Sequence, residues 1–155
     1  MSEELINIDP ELWGPSLWNS MEAIVCTLSL HNKKNIGFFF ENLRTILPCE
    51  KCKNHFNQYY KEFPVQNYLQ NPLTLLIWLY LLKTKIKTRQ ERDCPKFLDW
   101  ITHIAETFQV PELYYHLDKN NELLERTRKR GMKPAASLEK KYRLSEYEEC
   151  LSFNL

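Results

Sequence analysis

The stretch from residue 71 to residue 82 limits the possible folds of this chain more than any other. Asn71 followed by Pro72 is a typical helix start, because asparagine caps a first turn and proline fits the first helical position. Leu73 and the run Leu75–Leu82 make the following helix apolar on nearly every side. Such a helix is stable only when other elements surround it. The sequence therefore predicts a central helix.

Four other segments carry apolar residues at a spacing of three to four, the period of one helix face. They predict helices from Pro15 to near Leu30, from about Lys34 to Leu47, from Pro48 to Pro64, and from Asp93–Pro95 to Pro111. No segment alternates with period two, and the chain has three glycines, fewer than a sheet with tight hairpins usually needs. We therefore expect an all-α fold, a compact five-helix domain built as a four-helix bundle plus one.

Residues 1–117 are expected to form this helical domain, and residues 118–155 a charged helical C-terminal appendage. Basic residues cluster between positions 126 and 133, but such a cluster is more typical of a solvated helix face than of a nucleic-acid site. The net charge of the whole chain is +1, which gives no argument for binding nucleic acid. Nucleic acid is therefore not an expected partner.

Cys49 and Cys52 stand two residues apart at the predicted start of the third helix. With Pro48 in the first turn, both sulfurs would lie near the positive end of the helix dipole, where Lys51 and Lys53 would also favour the thiolate. A thiol pair at this spacing can close a local disulfide and reopen it by exchange, so one hypothesis is a redox-active dithiol. Half of a zinc site and two inert buried thiols are open alternatives.

The zinc site and a thioredoxin-like fold each lack part of their sequence pattern. A zinc site would need His55, one turn after the pair, and a fourth ligand from Cys94 or His103. Two further closely spaced ligands are lacking, so no metal is expected. A thioredoxin-like fold also places such a pair at a helix start, but it requires a preceding strand, and the candidate Phe38–Phe40 continues as helix.

The sequence shows neither a signal peptide nor a membrane-spanning segment. Met1–Asp9 has no basic n-region and no apolar h-region, so no signal peptide is expected. The longest apolar run, Leu75–Leu82, is far shorter than a membrane span, so no transmembrane segment is expected. These features favour the cytoplasm, where a persistent disulfide needs a dedicated oxidant.

Four motifs in order resemble the Erv/ALR-type FAD-linked sulfhydryl oxidases, especially the short forms carried by large DNA viruses. Trp13–Trp18 resembles the WGPxxW opening of those enzymes, and Leu47–Cys52 resembles their PCxxC at the start of the third helix. Trp78 stands where the fourth helix carries a tryptophan, and Asp93–Cys94 with Trp100 resembles the FDC segment that opens the fifth helix. The resemblance covers about residues 12–108 and implies the five-helix fold of that family.

The resemblance also implies an activity, namely a thiol oxidase that forms disulfides with oxygen as the final acceptor. A protein dithiol would attack the disulfide at Cys49, and Cys52 would pass the electrons to FAD. Trp18 and Trp78 would be flavin-binding residues by family position. The family is usually a homodimer through its first two helices. We therefore expect a homodimer. The resemblance to viral forms places it in the cytoplasm of an infected cell or in a virion, and the mitochondrial intermembrane space is the alternative.

The chain departs from the family at Glu22, where the family has histidine, and at the HNxxN motif that holds the adenine and ribose side of FAD. The corresponding residues here are Lys83–Lys87. Arg89 and Arg92 could meet the diphosphate, because guanidinium groups match phosphate geometry. The alternative is that both belong to a solvated helix end that the helix dipole favours. A second hypothesis therefore keeps the fold without the cofactor: a structural or docking protein of a virion, in which Cys49–Cys52 is a structural disulfide.

Two further cysteines have candidate roles. Cys150 lies near the C-terminal end, where family oxidases often carry a shuttle cysteine on a flexible tail. It could relay electrons to the core pair, bond another subunit, or be a free surface thiol. Cys94 has no partner at the CX16C spacing of the family, so it is expected to be free or intermolecular.

Overall fold

The computed structural model describes residues 5–113. Five α-helices and one short 3₁₀ helix lie within this range, and the range contains no strand. The helices are α1 (Pro10–Cys26), α2 (Lys33–Ile46), α3 (Glu50–Glu62), the 3₁₀ helix (Val65–Tyr68), α4 (Pro72–Arg89) and α5 (Phe97–Thr107). The predicted all-α fold with five helices is confirmed for this part of the chain. The predicted appendage, with Cys150, lies outside the described residues.

Contacts divide the chain into two compact units, one ending at Trp78 and the other beginning at Leu79. The division falls inside α4. The first unit therefore contains α1, α2, α3, the 3₁₀ helix and the first part of α4, while the second contains the rest of α4 and α5. Between residues 5 and 113, no helix is both long enough and apolar enough to cross a membrane.

Helix α1 begins earlier than the sequence predicted. Asp9 caps it, since the carboxylate of Asp9 accepts a hydrogen bond from the N–H of Glu11 at 3.0 Å. Pro10 occupies the first helical position, and Pro15, which was predicted there, lies inside the helix. The predicted start was wrong because Asp9 and Pro10 supply a capping side chain and a favourable proline together, whereas Gly14 has no side chain to cap with.

A turn closed by Asn32 ends α1 at Cys26, before the predicted end near Leu30. The Oδ1 atom of Asn32 accepts from the N–H of Ser29 at 2.8 Å, and its Nδ2 donates to the carbonyl of Thr27 at 2.9 Å. Asparagine side chains stabilise turns by such bonds to nearby backbone groups. The apolar periodicity alone did not reveal this turn, because Leu28 remains buried beyond the helix end.

Helices α2 and α3 are joined by a pair of side chains. The Nε of Arg44 donates to Oδ1 of Asn57 at 2.7 Å, and Nδ2 of Asn57 donates back to the carbonyl of Arg44 at 3.1 Å. The guanidinium of Arg44 also lies over the ring of Tyr60, 4.8 Å from the centroid. These contacts hold α3, and the cysteines at its beginning, against α2.

Trp78 is the centre of the aromatic core of the first unit and is 0% exposed. The rings of Phe40 and Tyr59 lie 5.0 Å and 5.5 Å from its indole, measured between centroids. Every residue of α4 from Leu73 to Leu82 is buried, which agrees with the predicted burial of this helix.

In the second unit, Tyr80 connects α4 to the segment before α5. Its hydroxyl donates to the carbonyl of Pro95 at 2.7 Å, and its ring lies 5.1 Å from Phe97 and 5.5 Å from Trp100, measured between centroids. Lys96, and not the predicted Asp93–Pro95 segment, occupies the N-cap position of α5, and it makes no capping bond with its side chain. That prediction was wrong because Cys94 and Pro95 are used in contacts with α4 instead.

Candidate redox site

Cys49 and Cys52 are joined by a disulfide at the beginning of α3, with their Cα atoms 5.2 Å apart. Cys49 is the N-cap residue, in an extended conformation with φ −157° and ψ 118°. Its carbonyl accepts the first helical hydrogen bond, from the N–H of Lys53 at 2.9 Å. The prediction that Pro48 is the first helical residue was therefore wrong, because Pro48 lies one residue before the cap.

The sulfur of Cys49 itself caps the helix. It accepts a hydrogen bond from the N–H of Cys52 at 3.2 Å, as the side chain of an N-cap residue typically does with the third helical residue. A negative charge on this sulfur would lie at the positive end of the α3 dipole. The arrangement therefore favours Cys49 as a thiolate when the disulfide is open.

The lysines near the pair contribute less than the sequence suggested. Lys53 forms an ion pair with Glu50 in the first turn of α3, so its charge is offset. Lys51 is exposed, and solvent weakens the effect of its charge on the sulfurs. The helix N-terminus, more than the lysines, is thus the source of thiolate stabilisation.

Both sulfur-bearing residues are half-buried, between the exposed surface and the core. Phe56, one turn further along α3, is buried against the core. Disulfide exchange depends on access of a thiolate to a sulfur, and both residues of the pair keep part of their surface exposed. Between residues 5 and 113, no group of three or more His, Cys, Asp or Glu side chains could hold a metal ion.

The segment before α1 covers the loop that carries the pair. The N–H of Ile8 donates to the carbonyl of Pro48 at 2.8 Å, and the N–H of Glu50 donates to Oδ1 of Asn7 at 2.8 Å. The indole N–H of Trp13 donates to the carbonyl of Ile8 at 3.0 Å. Asn7 could not be identified from the sequence, because a contact between positions 43 apart leaves no local pattern.

The aromatic residues that the resemblance assigns to the flavin have different environments. Trp18 of α1 is half-buried. Trp78 is fully enclosed, and its indole N–H donates to the carbonyl of Phe63 at 2.7 Å. A side chain without exposed surface presents no ring face to a ligand, so Trp78 does not fit a flavin contact in this structure.

Lys83 and Thr84, which the resemblance would place at the HNxxN motif, form contacts within the second unit. The Nζ of Lys83 lies over the ring of Trp100, 5.7 Å from its centroid. The hydroxyl of Thr84 donates to the carbonyl of Tyr80 at 2.9 Å. Arg89 is exposed at the end of α4. FAD held by the contacts of the HNxxN motif therefore does not fit the described residues.

The other described cysteines carry free thiols. The sulfur of Cys94 lies 3.3 Å from the hydroxyl of Thr84 and 3.6 Å from that of Tyr80, so it is half-buried among polar groups of the second unit. Burial, with a smaller contribution from the charge of Glu22 one turn earlier, raises the pKa of the Cys26 thiol to about 11. Cys26 is half-buried.

Two viral proteins are distantly similar to the chain. One is named "Putative FAD-linked sulfhydryl oxidase 347L", from Invertebrate iridescent virus 6, and is 28% identical over 67 residues, which cover 41% of this chain and 60% of that protein. The other is named "Putative FAD-linked sulfhydryl oxidase 096R", from Invertebrate iridescent virus 3, and is 20% identical over 88 residues, which cover 54% of this chain and 60% of that protein.

The chain thus spans about 60% of the length of the curated relatives that it matches. No known family profile matches the chain. No solved structure matches it either. The distant similarity supports the resemblance to the Erv/ALR-type oxidases that the four motifs indicated.

Proposed function

We propose that this chain is a thiol oxidase of the FAD-linked kind, which forms disulfides in a protein substrate through Cys49 and Cys52. The observation that carries the proposal is the half-buried Cys49–Cys52 disulfide, whose Cys49 sulfur accepts the N–H of Cys52 at a helix N-terminus. The names of the two viral relatives, which both refer to a sulfhydryl oxidase, support the same activity.

The proposed reaction begins with a thiolate of the substrate dithiol. It attacks the sulfur of Cys49, which breaks the Cys49–Cys52 bond and releases Cys52 as a thiolate. The second substrate thiolate then attacks the substrate sulfur of the mixed disulfide, and Cys49 leaves. The substrate loses two electrons and two protons and gains one disulfide, while the cysteine pair takes up the two electrons.

The geometry assists the second of these steps. When Cys49 leaves, negative charge develops on its sulfur, and the N–H of Cys52 already donates to that sulfur. Hydrogen bonds to an ionised acceptor are about twice as strong as neutral ones, so the bond strengthens as the sulfur becomes charged.

FAD as the electron acceptor of the cysteine pair is also proposed, and the names of the relatives, which refer to FAD, support it. Oxygen is proposed as the final acceptor. Trp18, which is half-buried, keeps the flavin-binding role that the resemblance implies, as a prediction. Arg89, which is exposed, is proposed to bind the diphosphate of the flavin through its guanidinium group. A homodimer, a dithiol protein as substrate and virion proteins as partners are likewise proposals. Shuttling by Cys150, or by the half-buried Cys94, completes the proposed relay.

Oxygen consumption in the presence of a dithiol tests the activity. Cys49→Ser and Cys52→Ser should each abolish it, because each removes one sulfur of the exchanging pair. Cys26→Ser is the matched control and should leave it unchanged, since Cys26 carries a free thiol outside the pair. Normal oxygen consumption in either of the first two variants would overturn the proposal.

A second candidate function is a cofactor-free structural or docking protein of a virion. It is favoured by the buried indole of Trp78 and by the engagement of Lys83 and Thr84 at the positions of HNxxN. The visible absorption spectrum of the purified chain, recorded with and without added FAD, separates the candidates. Flavin bands near one equivalent per chain support the oxidase, and a folded chain that remains colourless with added FAD supports the docking protein.

A further inference from the structure

The two residues that flank Cys49 are both bonded to the segment before α1. The carbonyl of Pro48 accepts the N–H of Ile8, and the N–H of Glu50 donates to the side chain of Asn7, each at 2.8 Å. Consecutive residues of one segment thus hold the residues immediately before and after the N-cap cysteine. Cys49 therefore has its backbone fixed on both sides by contacts that do not involve the disulfide.

This pair of contacts, formed by Asn7 and Ile8 and called the clamp below, is itself anchored. The Nδ2 of Asn7 donates to the carbonyl of Leu5 at 3.3 Å, which orients the amide so that its oxygen faces Glu50. The indole N–H of Trp13 donates to the carbonyl of Ile8 at 3.0 Å, which ties the clamp to α1. The clamp is thus connected to a packed helix.

Two N–H groups at the beginning of α3 have different acceptors, and one of these acceptors belongs to the clamp. The first N–H groups of a helix have no partner within the helix and need an acceptor. Asn7 satisfies the N–H of Glu50, while the sulfur of Cys49 accepts the N–H of Cys52 at 3.2 Å. With the backbone of Cys49 held on both sides, its sulfur would stay near the Cys52 N–H after the disulfide opens.

We infer that Asn7 is a positioning residue of the Cys49–Cys52 pair: through the clamp it keeps the Cys49 sulfur on the N-terminus of α3 in the reduced state. The inference rests on the proposed function for its biological meaning. The clamp stabilises the reduced pair more than the disulfide, because the Cys52 N–H interacts more strongly with a thiolate than with a neutral disulfide sulfur. Loss of the clamp therefore makes the disulfide harder to reduce.

The redox equilibrium of the pair with glutathione tests the inference on the chain of 155 residues. Redox-dependent alkylation of the peptide that contains Cys49 and Cys52, read by mass spectrometry, reports this pair without interference from the other cysteines. In Asn7→Ala the equilibrium should shift toward the disulfide by about threefold to tenfold. Trp13→Phe, which removes the anchoring N–H and keeps an aromatic ring, should shift it in the same direction by less.

Asn32→Ala is the matched control, because it also removes a side-chain amide that holds a turn through two hydrogen bonds, but in the turn between α1 and α2. It should leave the redox equilibrium unchanged. If Asn7→Ala does not fold, as judged by circular dichroism, Trp13→Phe carries the test. An unchanged equilibrium in the folded variants, or a shift toward the reduced pair, overturns the inference.

The equilibrium measurement does not depend on turnover. Failure of the proposed function and failure of the positioning role of Asn7 can therefore be distinguished. If the unmodified chain oxidises no dithiol but the Asn7→Ala shift is observed, the proposed function fails and the positioning role stands. If the chain is an active oxidase and Asn7→Ala leaves the equilibrium unchanged, the positioning role fails and the oxidase stands.

Discussion

The indole N–H of Trp78 donates to the carbonyl of Phe63 at 2.7 Å, in the buried centre of the first unit. A tryptophan that family position would place against a flavin is thus a core residue, with its polar atom satisfied by the backbone. This hydrogen bond joins the end of α3 to α4. A second one does the same, since the hydroxyl of Tyr59 donates to the carbonyl of Trp78 at 2.6 Å.

The first prediction is that Trp78→Phe lowers the free energy of unfolding by about 2–3 kcal/mol, because it leaves a cavity and removes the hydrogen bond from the indole to the carbonyl of Phe63. Urea denaturation followed by circular dichroism measures the change. Trp18→Phe, on the half-buried Trp18, is the control and should cost about 1 kcal/mol or less. Equal costs in the two variants would show that Trp78 is not a core residue.

Asn57→Ala is predicted to destabilise the chain by about 1–2 kcal/mol, since it removes two hydrogen bonds between α2 and α3 and leaves the Arg44 guanidinium without its amide partner. The same denaturation experiment measures this. Asn54, exposed on α3, provides the matched control, and Asn54→Ala should change stability by less than about 0.5 kcal/mol. A neutral Asn57→Ala would mean that the pair does not hold the two helices together.

Two helix ends carry left-handed residues that are not glycine. Glu91 follows α4 with φ 54°, and Gln109 follows α5 with φ 56°. The N–H of Arg92 donates to the carbonyl of Lys87, and that of Val110 to the carbonyl of Ala105, each at 2.9 Å, as in a Schellman motif. Glycine is the favoured residue at such a position, because it adopts this conformation without strain.

Glu91→Gly and Gln109→Gly are therefore each predicted to stabilise the chain by about 0.5–1 kcal/mol, measured as an increase in the midpoint of denaturation. Glu106→Gly, inside α5 and exposed, is the contrasting variant and should destabilise by about 1 kcal/mol. Destabilisation by glycine at position 91 or 109 would contradict the described helix ends.

Much of the fold was accessible from the sequence, because the spacing of apolar residues follows directly from burial of one helix face. The periodicity gave the bounds of α2 nearly as found, and the burial of α4 from Leu73 to Leu82. Helix starts were less accessible. Two segments could have begun α1, Asp9–Pro10 and Gly14–Pro15, and periodicity did not distinguish them. The capping role of the Cys49 sulfur was not predictable, because cysteine rarely caps helices.

The residues of the candidate site were likewise predictable from the sequence only in part. Cys49 and Cys52 were found from their spacing, since the pair is local in the sequence. Asn7 was not found, because its bond to Glu50 joins a side chain to a backbone group 43 positions away. Such a contact produces no periodicity and requires no particular residue type at position 50.

The thiol of Cys26 offers a test of the electrostatics of α1. With its pKa raised to about 11 by burial and then by Glu22, Cys26 stays protonated at pH 8 and should react slowly with iodoacetamide, with a rate that rises until about pH 11. Glu22→Gln should lower this pKa in part and increase the rate at pH 8, because it removes the smaller of the two causes. Peptide mass spectrometry measures the rate at Cys26.

The sign of the associated stability change follows from the same shift. A thiol whose pKa is raised from 9.0 to about 11 on folding contributes stability that is fully present below pH 9 and is lost as the pH rises toward about 11. Cys26→Ser should lessen the fall in stability over this window. A Cys26 thiol that alkylates at pH 8 as fast as a small exposed thiol would contradict the described environment.

The proposed function requires that Cys49 and Cys52 pass disulfides to a substrate in repeated turnovers. The number of substrate disulfides formed per chain tests this. The purified, air-equilibrated chain is mixed with an excess of a reduced dithiol peptide, and the peptide disulfides formed per chain are measured against time, beside a Cys49→Ser control. An oxidase whose pair is renewed in each cycle should form many disulfides per chain, and the control should form none. A count that stops at one per chain or below would contradict the proposed function, because the pair would then be a disulfide that no acceptor renews.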